Sequence, residues 1–221
     1  MNTSIVGPCK STRMAMFMRY LYLLMLSALL ATPAFPQSKP SPAPSGAYIS
    51  DPAHSSVTWK VGHFGLSNYT ARFTKMNAEL IWDAENPAAS RVSASIDPTS
   101  VRTDFPFPEV EDFDKKIGHD GNFFAAQPIS FRSTEVKLTA GNRGQVTGDL
   151  TFRGQTRPVT IDVTFNGSMA EHPMDKAPKL GFSAIAKIKR SEWDLSLYVP
   201  AVSDEVTIVI ETELAPRKAT N

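Results

Sequence analysis

Cysteine is almost absent: Cys9 is the only one in the chain. It stands ahead of the apolar run Tyr20–Leu30, so a domain that begins after that run has neither a disulfide nor a thiol nucleophile. The same placement is wrong for a lipidated cysteine. Catalytic signatures are missing as well. No G-x-S-x-G elbow, H-E-x-x-H pair or glycine-rich phosphate loop occurs, which removes the common routes to serine hydrolysis, zinc proteolysis and nucleotide chemistry. Nor is there an apolar run long enough to span a bilayer comfortably.

What the N-terminus does have reads as an export signal over residues 1–34. Lys10, Arg13 and Arg19 lead, the apolar run follows, and Thr32-Pro33-Ala34 offers the small residues a signal peptidase needs. Its removal takes three of the 23 basic residues and none of the 22 acidic ones, so 20 face 22 in the exported part. That balance gives no electrostatic reason to expect nucleic acid. Export without cysteine fits the periplasm of a bacterial envelope better than a disulfide-stapled secreted domain, and no membrane span is expected after cleavage. Residues 35–47, with Pro36, Pro40, Pro42 and Pro44 among Ser and Ala, are expected to form an extended linker. The folded domain is expected over residues 48–214, with 215–221 as a tail.

Within the domain the clearest pattern is Gln145–Asn166. Val146, Leu150 and Phe152 alternate with Thr147, Asp149 and Thr151; after Arg153-Gly154-Gln155, Val159, Ile161, Val163 and Phe165 alternate with Thr160, Asp162 and Thr164. This is a hairpin with one oily and one wet face. Similar patterning predicts strands at Ser55–Phe64, Tyr69–Trp82, Arg91–Asp97, Ile129–Leu138, Leu180–Ile188 and Glu205–Glu213. In Tyr69–Trp82 the apolar parity changes between Phe73 and Met76, which calls for a bulge. Pro108 is expected to open one short helix through Ile117, closed by Gly118. These elements define an all-β fold, an eight-stranded antiparallel barrel with one short helix in a long loop.

Candidate ligand contacts follow from strand parity. Trp59, Phe73, Phe131, Phe165 and Phe182 fall on inward positions, while Gly62, Gly148, Gly181, Ala184 and Ala186 are expected to leave room beside them. Val61 and His63 share the face of Trp59, and Leu150 and Val163 extend the wall. His63 also reads as a buried histidine bonded to backbone. His54 and His63 lie nine residues apart, an odd spacing that puts them on opposite faces of a strand, so no metal set is expected, and no cofactor. Glu109, Glu111, Asp112 and Asp114 suit a helix start. Arg102, Arg132 and Arg190 are candidates to meet a polar head group.

Several of these segments resemble the YceI-like family of exported lipocalin-like proteins: Gly148–Val159 (GDLTFRGQTRPV), Asp51–Gly65, Ile129–Val136, and Gly181-Phe182 leading to Arg190-Ser191-Glu192-Trp193. The resemblance implies a periplasmic barrel that binds a polyisoprenoid or isoprenoid-quinone-type lipid and has no enzyme activity. Two alternatives stay open: a solid-cored envelope stress or interaction module, and a hydrolase using His54 with Asp51. The oligomeric state is open as well, with Phe105 and Phe107 as loop aromatics that could make a homodimer.

Overall fold

The computed structural model describes residues 42–218. The proposed signal segment and the first part of the linker lie outside the described residues.

Ten strands form one antiparallel sheet: β1 Gly46–His63, β2 Ser67–Phe73, β3 Met76–Trp82, β4 Arg91–Ile96, β5 Val101–Arg102, β6 Ile129–Leu138, β7 Arg143–Phe152, β8 Gln155–Met169, β9 Lys179–Lys189 and β10 Val202–Pro216. Their order is β10-β9-β8-β7-β6-β4-β3-β1-β2-β5, and β10 also pairs with β1. That last pairing closes an eight-stranded barrel of β1, β3, β4 and β6 to β10 and leaves it no free edge. The Gln145–Asn166 hairpin is joined by Arg153 and Gly154, with φ of 49° and 73°, and Phe152 pairs directly with Gln155. Two consecutive positive φ values match the twist of the flanking strands, and Gly154 adopts its value without steric cost.

The expected long second strand is two strands. β2 pairs with the far half of β1, Val57 opposite Phe73, and β3 with the near half, Ile49 opposite Glu79. Thr74 and Lys75 turn the corner, tied to Ser100 by the Thr74 and Lys75 amides. Parity therefore changes where the sequence requires it: Ala71 and Phe73 are buried before the corner, Ala78 and Leu80 after it.

The helix, α1 (Phe113–His119), starts later than Pro108. Asp112 is its N-cap, accepting from the Lys115 amide at 3.0 Å, and Val110 is left 76% exposed. A Cβ on Gly118 would lie 3.1 Å from Thr99 Cα, so glycine lets α1 sit directly on residues 98–101. Asp114 then accepts from both the amide and hydroxyl of Thr103, at 2.7 and 2.6 Å.

The end of the expected linker is packed rather than extended. Ala43 is 1% exposed and donates its amide to Ser168 Oγ, Tyr48 Oη donates to the Pro44 carbonyl at 2.6 Å, and β1 already begins at Gly46.

Candidate functional site

The inward faces of the strands carry two aromatic groups, one toward each end. At the α1 end, Phe124 lies 5.9 Å from Trp59, 5.5 Å from Phe73 and 5.7 Å from Phe152 between ring centroids; Phe152 reaches Trp193 at 6.3 Å. At the opposite end Trp82 stacks on Phe165 at 5.6 Å, and Phe182 meets Phe165 at 5.2 Å and Trp82 at 6.1 Å. Between them the wall is mostly aliphatic, with Ala94, Leu150, Ile161, Val163, Ile208, Ile210 and the single ring of Phe131 facing in yet only half-buried. Inward side chains of a filled small barrel would be shut off from water, so their exposure marks unfilled interior space.

The candidate residues divide accordingly. Phe165 and Phe182 face each other across β8 and β9, Val163 sits opposite Ala184, and Phe131 sits opposite Leu150. Trp59 and Phe73 form the floor at the α1 end, with Val61 buried beside them. Two expectations fail. His63 is exposed, its ring 4.7 Å from that of Phe64, because it is the last residue of β1 before the turn to β2. Arg190 is 6% exposed, but it does not face a ligand: its guanidinium donates to the carbonyls of Leu195, Val202 and Ser203 at 2.8, 2.8 and 2.9 Å. It holds the connection between β9 and β10.

The small residues also need correcting. A Cβ on Gly148 would lie 2.5 Å from the Phe131 ring, so the space expected there is already taken. Gly62 and Gly181 share the outer face with Ser203 and Glu213. The interior room is made by alanines instead, Ala78, Ala94, Ala184 and Ala186. Trp82, Phe124 and Phe152 complete the two groups and Ile161 the wall between them; parity beyond the corner places Trp82, whereas Phe124 lies in a loop, where strand parity says nothing of its direction.

The acid–base pair exists, although it lies on the outer wall. Asp51 Oδ2 is 3.0 Å from His54 Nδ1, and Lys179 Nζ reaches Asp51 at 3.3 Å and Asp175 at 3.0 Å. The His54 hydrogen bond, with help from the Ala53 amide, draws the Asp51 carboxyl down to about 2, and in return Asp51 raises His54. Burial opposes the charge on Lys179, but its bonds to Asp175 and Asp51 outweigh this and raise it. Beside the pair is a 210 Å³ surface recess with Glu211 and Glu213 on its rim. Ser55 and Thr212 bond each other nearby at 2.7 Å.

A closed antiparallel barrel with a partly open, aliphatic interior and a helix over one end defines a lipocalin-like class of enclosing fold. The chain belongs to the YceI-like family: the YceI-like domain model matches residues 48–214. It is 31% identical to protein YceI of Escherichia coli O157:H7 over 168 residues, 75% of this chain and 83% of that one. Among solved structures it is similar to Burkholderia cenocepacia BcnA, with a TM-score of 0.64 and 23% identity over 74% of this chain and 98% of that one. A Saccharophagus degradans polyisoprenoid binding domain, implicated in plant cell wall breakdown, matches with a TM-score of 0.53 and 12% identity, over 77% and 98% of the two chains.

Proposed function

We propose that this chain is an exported periplasmic protein that encloses an elongated apolar lipid of the polyisoprenoid or isoprenoid-quinone type, carrying or sequestering it without chemical change. The observation that carries this reading is the half-buried aliphatic wall between two aromatic groups inside a closed barrel. The polyisoprenoid-binding description of the Saccharophagus domain supports it, as does the position of the Asp51–His54 pair outside the barrel.

Magnitudes favour a long ligand. Each buried CH₂ contributes about 0.8 kcal/mol, whereas association costs on the order of 4–15 kcal/mol. A chain of on the order of fifteen carbons is needed before burial alone outweighs that cost. Short apolar molecules should bind weakly and prenyl chains well, with tightness growing with the length enclosed.

The test is uptake of a dansyl-labelled farnesyl probe, followed by fluorescence. Saturable uptake reversed by unlabelled farnesol is expected; no uptake by lipid-stripped protein would contradict the proposal. Osmotic-shock fractionation of the native host checks the location, with recovery in the cytoplasm as the contrary result.

A further inference from the structure

The floor at the α1 end has three features that a permanent core does not need. Trp59 Nε1 is buried with no hydrogen-bond partner among the described residues, in a side chain that Phe124 covers at 5.9 Å. Ala125 and Ala126, directly after Phe124, both sit in the left-handed region with φ of 57° and 52°, where alanine pays a steric penalty that glycine avoids. Among the described residues, the side chain of Arg153 holds the turn from outside. Arg153 donates to the Gly121 carbonyl at 2.8 Å, to the Phe123 carbonyl, and to the Trp193 carbonyl at 3.0 Å. Buried orphans and strained backbone persist where the surroundings impose them, and they gather at functional places.

Most of the neighbourhood is fixed. Gly118 is in close contact with residues 98–99, Asp114 is bound to Thr103, and Trp193 is anchored by donating its indole N–H to the Gln155 carbonyl at 3.0 Å. The part that can leave is residues 120–127, which folds back on α1 through the amides of Phe124 and Ala126 to the carbonyls of Ile117 and Gly118.

We propose that residues 120–127 form a latched floor, in which Phe124 sets how much of an apolar chain the barrel accepts and Arg153 keeps it shut. The inference rests on the lipid-enclosing reading and names a length-determining residue for it. With the latch closed, a chain stops at Phe124; with it released, the strained alanines relax, the Trp59 N–H meets water, and a longer chain passes the floor.

The experiment compares farnesol with the much longer solanesol as competitors of the dansyl-farnesyl probe, in the wild-type domain and in Phe124→Leu, Arg153→Met and Ala125→Gly/Ala126→Gly. Phe124→Leu and Arg153→Met should raise the solanesol-to-farnesol affinity ratio about tenfold. The glycine pair, which suits the closed conformation, should leave the ratio unchanged and slow probe release severalfold. An unaltered ratio in both of the first two variants overturns the proposal. Exchange of the Trp59 indole proton, followed by NMR, reads the latch without any lipid: Arg153→Met should speed it about tenfold relative to the anchored Trp193 indole. Equal exchange overturns the latch even if lipid binds, whereas failure of the wild type to take up either chain overturns the lipid reading alone.

Discussion

At the α1 end Phe124 is 9% exposed against three aromatic partners and Trp193 is 1% exposed, while at the opposite end Trp82, Phe165 and Phe182 stack on one another and stay half-buried. The first end is closed by packing and by arginines aimed at backbone carbonyls. At the second, Trp82, Phe165 and Phe182 pack against a buried cluster of Ala43, Tyr48, Leu80, Leu180 and Leu214, and an ion network of Lys179 with Asp51 and Asp175 lies on the outer wall. Both aromatic groups rest on buried residues, but the rings of the second stay half-buried. In the proposed container the end with the drier rings is the floor and the other the mouth, and the difference assigns different consequences to similar substitutions.

The largest effect is expected at the floor. Trp193→Ala removes a fully buried indole and its hydrogen bond to Gln155 and should cost about 4 kcal/mol in denaturant unfolding; a loss below 1 kcal/mol would mean that the floor is not packed as described. Arg190→Met leaves three carbonyls without their donor and should cost about 3 kcal/mol, with the change in lipid affinity no greater than the loss of fold. If Arg190→Met kept full stability and lost binding, its head-group role would be restored.

The mouth should separate stability from binding. Phe182→Asp forfeits two aromatic contacts and places a carboxylate in the lumen, which should cost about 2 kcal/mol and abolish probe uptake. Retained uptake would move the site elsewhere.

The smallest effect concerns pH at the outer wall. Asp51 is held at about 2, below its ordinary 3.8, so its contribution is present above 3.8 and is lost as pH falls through about 2. Water around the exposed His54 ring screens the pair, so the contribution of Asp51 is about 1 kcal/mol. Asp51→Asn should therefore be less stable than wild type at neutral pH and converge with it near pH 2, as measured by thermal unfolding. Parallel curves would show that the carboxylate contributes nothing by its charge.

Much of this architecture is written locally in the sequence. The alternation from Val146 to Phe165 defines β7 and β8, Ile129–Leu138 is a strand with those same limits, and the parity change after Phe73 announces the corner between β2 and β3. The site is legible only in part, because a lumen is a relation between strands. Trp59, Val163, Phe165 and Phe182 could be placed by parity alone. Parity could not show that Phe131 fills the space above Gly148, since that depends on its ring lying diagonally across the β6–β7 pair, two residues from its direct partner Leu150. It could not show that Arg190 serves carbonyls five to thirteen residues on, or that Lys179 meets Asp51 across 128 residues of sequence. Long-range partners decide those roles, and an arginine or histidine looks alike in sequence whether it faces a ligand, a carbonyl or water.

The central claim is that the barrel interior holds a chain-like lipid. The most direct measurement is organic extraction of the protein purified from its native envelope under non-denaturing conditions, followed by mass spectrometry. The account predicts a prenyl-chain lipid in near-stoichiometric amount, lost on Phe182→Asp. An empty extract from the folded wild-type protein, or the same lipid recovered equally from Phe182→Asp, would contradict it.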